Sequence, residues 1–232
     1  MGRVELFDKK ASEYDQFCQT PIGHFVDTIE RHMMEEVARP TPGEKGVDLG
    51  CGTGNYTLWL HSQGVKATGV DISRGMLEEA HKKALGLDVA FIEGNLMQLP
   101  CDDNTFDLAV CNVALEFVED AKAVLKQVHR ILKPSGRFIA GFIGRHSPWA
   151  DKYIRRGQED PQSVYGQARF YSYKEASALG WKQPTLVQFG LYVGPEEFED
   201  EPKAKQLEAL RKSSQDECGA GFFVLRWDKD QA

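Results

Sequence analysis

The chain has 232 residues, of which 41% are hydrophobic and 27% are charged, and its formal net charge at pH 7 is -7. A chain of this size can bury a sizeable core, and we expect one domain with an elaboration rather than two full domains. The acidic balance argues against a surface that binds phosphates, so nucleic acid is not a favoured partner. No apolar run is long enough to predict a membrane span.

The cysteines and histidines form no metal-binding or disulfide pattern. The five cysteines are scattered, odd in number and without a C-x-x-C pair, which is typical of reduced thiols in a cytoplasmic protein. The six histidines form no H-E-x-x-H or comparable cluster, so we expect no bound metal. The first residues lack the apolar core of a signal peptide. We therefore predict a cytoplasmic location, with a monomer and a homodimer both open.

Apolar residues first recur at helical spacing over residues 3–17 and again from about residue 24 to residue 38, which predicts two helices. Pro40, Pro42 and Gly43 end the second helix. We expect residues 1–42 to form a helical cap ahead of a main domain over residues 43–232. Two interpretations of this cap stay open, which are a packing support for the domain and a lid over a ligand.

A glycine-rich stretch follows the first predicted strand. Asp48, Gly50, Gly52 and Gly54 form the pattern D-x-G-x-G-x-G, and the next residues read as a helix. Alternating glycines let the backbone turn with positive φ and let a ligand approach the main chain. A helix N-terminus behind them presents free N–H groups. The stretch therefore predicts a nucleotide-like ligand, although the dinucleotide pattern G-x-G-x-x-G fails because its third position falls on Asn55.

A second short strand over residues 65–70 ends in Asp71, about twenty residues beyond the glycine loop. An acid at this place can accept hydrogen bonds from both hydroxyls of a ribose. Ser73 is a suitable cap for the helix that follows. In that helix Met76 belongs to the buried face, with a contact to adenine as the other interpretation.

The remaining strands follow the same alternation with helices. The third is predicted over residues 89–92, the fourth reads F-D-L-A-V and continues to Asn112, and the fifth covers residues 137–142. The fourth strand is apolar on both faces, which is typical of a buried parallel strand. A sixth strand over 186–192 and a last, antiparallel strand over 221–227 form an edge hairpin, with a surface insertion at about 194–218 between them.

In this order the motifs resemble those of class I S-adenosylmethionine-dependent methyltransferases, in particular the methyltransferase type 11 group with its ubiquinone- and menaquinone-biosynthesis enzymes. The resemblance rests on D-L-G-C-G-T-G from Asp48, on F-D-x-x-A-x-x-Y-D from Phe7, and on L-E-F-V-E-D from Leu115, where Phe117 replaces the usual His. It covers about residues 5–145 well. It implies a Rossmann-like doubly wound sheet of seven mostly parallel strands with an antiparallel last strand, helices on both faces and an N-terminal helical cap.

The resemblance also implies a cofactor, S-adenosylmethionine, with S-adenosylhomocysteine as its product. Asn95 stands where the family has an acid that accepts from the adenine amino group, and an amide oxygen accepts there without charge assistance. The residues expected to bind the cofactor are Tyr14, Asp48, Gly50, Cys51, Gly52, Gly54, Asp71, Ile72, Met76, Asn95, Leu96 and Asn112.

Methyl transfer to a small-molecule acceptor by in-line displacement is the activity that the resemblance implies. Residues 145–173 stand where this architecture holds an acceptor, and a connecting helix and loop is the other interpretation. The candidate catalytic residues are His146 as a general base, Glu116 and Tyr14, although Glu116 equally fits a helix-start acid favoured by the dipole. The alternatives are an RNA or protein methyltransferase and a non-catalytic S-adenosylmethionine-binding protein.

Overall fold

The computed structural model describes residues 3–212 and 217–231. Residues 213–216, within the predicted insertion, and residues 1, 2 and 232 lie outside the described residues. The strands are β1 (Lys45–Leu49), β2 (Lys66–Asp71), β3 (Ala90–Glu93), β4 (Phe106–Asn112), β5 (Leu132–Ile143), β6 (Leu186–Gly190) and β7 (Phe222–Asp228). The α-helices are α1 (Arg3–Lys10), α2 (Pro21–Ala38), α3 (Asn55–Ser62), α4 (Arg74–Lys83), α5 (Ala121–Ile131), α6 (Pro148–Glu159), α7 (Tyr173–Ser177) and α8 (Glu201–Lys212). Short 3₁₀ helices cover Ala11–Gln19, Leu96–Gln98, Leu115–Phe117 and Val164–Gln167.

The seven strands form one sheet in the order β3-β2-β1-β4-β5-β7-β6. Neighbouring strands from β3 to β5 pair in parallel, and β7 is antiparallel to both β5 and β6. The predicted fold class is therefore confirmed. The chain moves outward from β1 to β3 and then returns to place β4 on the other side of β1. Ligands of open α/β sheets bind at such a reversal of strand order, beyond the carboxyl ends of the strands.

Alternating side chains of the central strands bury both faces of the sheet. In β4, Ala109 and Cys111 pack with α5 and α7, whereas Leu108 and Val110 pack with α2 and α3. The same alternation in β7 sends Trp227 to the first face and Val224 to the second. This two-sided burial explains why the strands read as continuous apolar runs in the sequence.

Several elements differ from their predicted bounds. The predicted first helix continues beyond Lys10 as a 3₁₀ helix, and α2 begins at Pro21, capped by the Thr20 side chain. Strand β5 begins at Leu132 rather than at residue 137, because residues 132–136 join the strand through a shift in its register with β4. The β7 strand lies between β5 and β6, so β6 is the edge of the sheet.

A nearly buried arginine joins the end of α2 and the start of β1 to the centre of the sheet. The Arg137 guanidinium donates to Glu44 Oε1 at 2.7 Å and Glu44 Oε2 at 2.8 Å, and also to the carbonyls of Ala38 and Arg39. Burial alone would raise the pKa of Glu44, but hydrogen bonds from Arg137 and Thr41 hold it below its ordinary value. The pair thus fixes the loop that leads into β1.

We expect Glu44→Gln to lower the free energy of unfolding by about 3 kcal/mol at pH 7, since breaking a buried ion pair leaves the other charge uncompensated. Because the pKa of Glu44 is lowered in the folded state, the contribution of its ionised carboxylate to the free energy of unfolding is present at neutral pH. This contribution disappears as the pH falls below about 4. Urea denaturation of both proteins at pH 7 and at about pH 3 measures the difference.

Asp103→Asn is the matched control, because the Asp103 side chain is 66% exposed in its ion pair with Arg130. An exposed pair contributes about 0–1 kcal/mol. Equal losses in the two variants would contradict the role given to Glu44.

Candidate active site

A cavity of about 350 Å³ opens where the strand order reverses. Its floor follows the carboxyl ends of the first four strands, through Gly50 and Gly52 after β1, Asp71 and Ile72 at β2, Asn95 and Leu96 after β3, and Asn112 at β4. The other side is lined by Val4, Phe7, Tyr14, Phe117, Val118, Glu119, Val164, Tyr165 and Gln167. Within the described residues, the structure thus brings together Tyr14 and all but three of the other predicted cofactor residues.

The three glycines of the loop after β1 all have positive φ, but for different reasons. A Cβ on Gly50 would lie 2.4 Å from the Cβ of Ala114, so a neighbouring loop occupies its space. A Cβ on Gly52 would meet nothing within 4 Å, so only its φ of 52° disfavours another residue. The open side of Gly52 lines the cavity and leaves its main chain accessible to a ligand.

The Asp71 carboxylate joins the loops that follow β1 and β2. Its Oδ2 accepts from Gly52 N and its Oδ1 accepts from Ser73 N, both at 2.8 Å. Burial raises the pKa of Asp71, and the backbone hydrogen bonds oppose that shift. An ionised carboxylate has about four acceptor sites, so these backbone hydrogen bonds leave capacity for a hydroxyl donor. Asp71 therefore shapes the floor as well as offering acceptors to it.

Three predicted cofactor residues lie behind the cavity surface. Asp48 is buried and accepts a 2.7 Å hydrogen bond from Thr57 Oγ1, which ties β1 to the start of α3. Burial raises the pKa of Asp48 to about 7. Cys51 is buried against Gly69, and Gly54 lies against Ala80 and Phe91 as the residue before α3. These contacts support the loop from beneath.

On the β3 side the cavity wall is mostly apolar. Met76 and Leu96 are nearly buried, and Ile72 is 44% exposed. The Asn95 side-chain oxygen accepts from Met97 N at 2.9 Å and so caps the short 3₁₀ helix that carries Leu96. Asn95 thus has a local structural partner that sequence reasoning did not anticipate.

The β4 end of the cavity combines strain with an unusual polar pair. Val113 has φ +48°, which costs a β-branched residue about 1–3 kcal/mol. Before it, Asn112 donates from Nδ2 to Glu30 Oε2 at 3.2 Å. The Oδ1 of Asn112 is buried without a hydrogen-bond partner among the described residues. Strained backbone and an unpaired buried acceptor at one strand end are typical of a functional site.

The N-terminal segment, residues 3–19, is held over the cavity by two aspartates. Asp8 Oδ1 accepts from Ser73 Oγ at 2.5 Å and from Gly75 N at 3.0 Å, at the start of α4. Asp15 accepts from Thr53, Asn55 and Lys83 at 2.7–3.0 Å. These are the two acids of the F-D-x-x-A-x-x-Y-D motif. The aromatic residue before each of them, Phe7 or Tyr14, lines the cavity.

The candidate catalytic residues occupy different environments. Tyr14 lines the cavity. Glu116 is buried outside the lining and accepts from Ile143 N at 3.0 Å, and burial raises the pKa of Glu116 to about 8. His146 is exposed on the loop between β5 and α6, also outside the lining. Of the predicted acceptor segment, residues 145–173, only the part around Tyr165 reaches the cavity among the described residues.

Two further features of the site were not predicted from the sequence. Phe117, noted only as a replacement for His, makes an edge-on contact of 5.3 Å between ring centroids with Phe7 and lies 6.0 Å from Tyr165. The other is Glu30, which lies within the apolar face predicted for α2. An acid four residues after Val26 and three before Met33 interrupts the buried stripe of that helix, which is a signal that charged residues in cores have a specific partner.

Comparison with known proteins agrees with this geometry. The family model described as a methyltransferase domain matches residues 47–140. A demethylmenaquinone methyltransferase of Corynebacterium kroppenstedtii is 36% identical over 199 residues, which cover 80% of this chain and 82% of the relative. The chain belongs to the class I S-adenosylmethionine-dependent methyltransferases. The predicted family, enzyme class and cofactor are therefore confirmed.

Solved structures extend the comparison to the whole methyltransferase fold. A Thermotoga maritima methyltransferase described as a possible histamine N-methyltransferase has a TM-score of 0.72 at 25% identity, covering 99% of this chain and 100% of that one. The geranyl diphosphate C-methyltransferase of Streptomyces coelicolor, solved with S-adenosylhomocysteine, has a TM-score of 0.62 at 18% identity and covers 88% and 79%. The second likeness shows the fold alone. No helix in the described part of this methyltransferase is both long and apolar enough for a bilayer.

We expect Asp15→Asn to raise the dissociation constant for S-adenosylhomocysteine about tenfold, since it removes the charge that holds residues 3–19 to the loop after β1. Calorimetric titration measures the affinity, and hydrogen exchange of residues 3–19 reports the docking. Glu79→Gln is the control, because Glu79 pairs with the exposed Lys82 on the same helix as Lys83. Unchanged exchange in the Asp15 variant would contradict this account.

Proposed function

We propose that this methyltransferase transfers a methyl group from S-adenosylmethionine to a small-molecule acceptor bound in the cavity beside Tyr14 and Tyr165. The observation that carries the proposal is that one cavity has two kinds of wall. Backbone and carboxylate groups at the strand ends form the first, and the rings of Phe7, Tyr14, Phe117 and Tyr165 form the second. Such a cavity suits a cofactor on one side and an acceptor on the other.

The residues present fit the cofactor. The main chain at Gly52 is open to a ligand, since a Cβ there would meet nothing within 4 Å, and Asp71 presents carboxylate acceptors at the place of a ribose. Ile72, Met76 and Leu96 supply an apolar slot for an adenine ring. S-adenosylmethionine supplies a methyl group that the sulfonium charge already activates. The tasks left to this chain are to hold the two ligands in line and to exclude water.

The remaining cofactor residues serve this arrangement in our proposal. Asp48, Cys51 and Gly54 support the loop after β1 from behind, and Asn95 and Asn112 border the adenine and methionine ends. Tyr14 covers the methionine end from the N-terminal segment, where its ring and that segment limit access of water. The cytoplasmic location, the choice between monomer and homodimer, and the division at residue 43 stay predictions from the sequence.

The charges around the cavity favour an acceptor that is neutral or positively charged. The described lining contains two acidic side chains, those of Asp71 and Glu119, and no Lys, Arg or His. Arg145 pairs with Glu175, Arg155 with Glu196, and Arg169 lies 4.0 Å from Glu175, so three of the four arginines of the predicted acceptor segment have acidic partners. The fourth, Arg156, lies outside the described lining, and its charge opposes the rise that burial causes in the pKa of Tyr165. A neutral quinone-type ring, as in the name of the C. kroppenstedtii demethylmenaquinone methyltransferase, or an amine, as in that of the T. maritima protein, suits this wall better than a diphosphate.

Incubation with methyl-labelled S-adenosylmethionine tests the proposal. The acceptors are a naphthohydroquinone, histamine, geranyl diphosphate and the small-molecule, RNA and protein fractions of a cell extract. We expect label in the hydroquinone, the amine or the small-molecule fraction, and none in the diphosphate. Label confined to RNA or protein, or tight cofactor binding without any label, would overturn the proposal.

We expect Asp71→Ala to weaken binding of S-adenosylhomocysteine about 100-fold, since hydrogen bonds to a charged group contribute about 1.5–3 kcal/mol each. The variant should also lose the preference for S-adenosylhomocysteine over its 3′-deoxyribose analogue. That second comparison separates a contact with the ribose from collapse of the loop, which would weaken both ligands equally. Thermal denaturation controls for folding, and an unchanged preference would remove the ribose role.

A further inference from the structure

Tyr165, in the wall of the cavity, belongs to a segment that packs directly against α6. The 3₁₀ helix Val164–Gln167 begins with a cap, in which Tyr165 N donates to Ser163 Oγ at 3.3 Å. A Cβ on Gly157 of α6 would lie 2.6 Å from Gly166 N and 2.8 Å from the carbonyl carbon of Tyr165. The two backbones are therefore in contact, and only glycine at position 157 allows Tyr165 to lie this close to α6.

Other rings hold the Tyr165 ring in place. Tyr153 of α6 stacks on it, with 4.2 Å between centroids and 21° between the ring planes. Phe117 lies 6.0 Å from it, and Phe7 meets Phe117 edge-on. Aromatic pairs in these geometries stabilise one another beyond the area that they bury. Tyr165 therefore has a defined position in the cavity wall, set from behind by a residue that is not part of the lining.

The hydroxyl groups of the two stacked tyrosines share a hydrogen bond. Burial raises the pKa of Tyr165 to about 12 and also raises that of Tyr153. The shared hydrogen bond opposes the rise in Tyr165 and adds to it in Tyr153. A hydrogen bond favours the ionised form of the group that accepts it, so Tyr153 donates to the Tyr165 oxygen. Because a hydroxyl is one donor and two acceptors, Tyr165 keeps its own O–H for another group.

This side of the cavity has three other polar side chains among the described residues, and all three are more open to solvent. Tyr14 is 49% exposed, and Glu119 and Gln167 are exposed as well, whereas Tyr165 is half-buried. Water competes less for a hydrogen bond at a half-buried hydroxyl, and leaving such a group without a partner is costly. Tyr165 is thus the polar group of this wall that is best placed to orient a bound molecule.

We propose that the Tyr165 hydroxyl binds and orients the methyl acceptor, and that Tyr153 and Gly157 position Tyr165 for this task. The inference rests on the proposed function and names the residue that selects the acceptor within it. Phe7 and Phe117, which line the cavity, contact the apolar part of the acceptor. Held at these two points, the acceptor keeps one orientation toward the methyl group.

The proposal also limits the chemical class of the acceptor. A hydrogen bond from Tyr165 to the attacking lone pair would oppose the transfer, so the hydroxyl donates to a second nitrogen or oxygen atom of the acceptor. The acceptor is therefore a small molecule with a polar atom apart from the atom that is methylated. Tyr165 stays neutral near pH 7, so it binds the acceptor rather than deprotonating it.

Tyr165→Phe tests the hydroxyl, because it keeps the ring and its stacking. With the small molecule that wild type labels, we expect the acceptor KM to rise about tenfold, as for the loss of one hydrogen bond, and the KM for S-adenosylmethionine to stay unchanged. Calorimetric titration of the S-adenosylhomocysteine complex should show the same loss of acceptor affinity. Tyr173→Phe is the matched control, since Tyr173 packs on Phe189 outside the lining.

A second comparison tests the second polar atom. For a naphthohydroquinone the analogue is 1-naphthol, and for histamine it is 2-phenylethylamine, each of which lacks one polar group of its parent. We expect wild type to bind the parent about tenfold more tightly than the analogue, and Tyr165→Phe to lose that preference. A preference that the variant retains would contradict the proposed hydrogen bond.

Gly157→Ala tests the support from α6 without touching the cavity lining. The added Cβ forces the two backbones apart, so we expect the acceptor KM to rise at least tenfold while S-adenosylhomocysteine affinity is unchanged. Combined with Tyr165→Phe it should cause little further loss, because both changes act on one contact. The exposed Gln158→Ala on the same helix is the control. Additive losses in the double variant would overturn the positioning role of Gly157.

The outcomes separate this inference from the proposed function. If wild type methylates no small molecule, the proposed function fails and the role of Tyr165 fails with it. If wild type is active and Tyr165→Phe keeps its acceptor affinity, only the role of Tyr165 is overturned. Equal weakening of acceptor and S-adenosylhomocysteine in Tyr165→Phe, with a lower Tm, would instead assign Tyr165 to structure.

Discussion

The Asp71 carboxylate is the connection on which the rest of the site depends. It holds Gly52 N with one oxygen and Ser73 N with the other, so the loops after two adjacent strands keep one relative position. Ser73 then caps α4 through Met76 N and donates to Asp8 of the N-terminal segment. One short side chain thus links the glycine loop, a helix start and the cover of the cavity. Replacing it changes the shape of the floor as well as its charge.

Much of the fold could be predicted because its signals are local. Glycines with positive φ, apolar runs and helix caps depend on neighbouring residues, and their order along the chain defines the doubly wound sheet. The same reasoning placed Asp71, Ile72 and Asn112 at strand ends that the topology then brings together. It did not find the partners of Glu30 and Asp15, because these partners are distant in the sequence. Asn112 lies 82 residues from Glu30, and Lys83 lies 68 residues from Asp15. The Asn95 side-chain oxygen was expected to face adenine. It accepts a hydrogen bond from Met97 N instead and so caps a short 3₁₀ helix, which the sequence pattern did not specify.

Several acids in and beneath the site have pKa values raised by burial, to about 7 for Asp48 and Glu30 and about 8 for Glu116. Their hydrogen bonds compensate only part of the loss of solvation. The site therefore contains carboxyl groups that change protonation near neutral pH, below a cavity whose family cofactor carries a positive charge. A nearby cation favours the ionised form of a carboxyl group. Such acids can release protons and become more negatively charged when a cation binds. Before the cation binds, more of them are neutral, so they repel one another less strongly.

The docking of residues 3–19 has a consequence for the order in which the protein assembles. The segment meets Ser73, Gly75 and Lys83 across separations of 65–68 residues, and Phe7 meets Phe117 still further along the chain. Contacts of such long range form late, because the intervening chain must first be ordered. During synthesis this segment leaves the ribosome before every one of these partners. The earliest described residues are thus among the last to find their places, and the cavity acquires its cover only after the sheet beneath it exists.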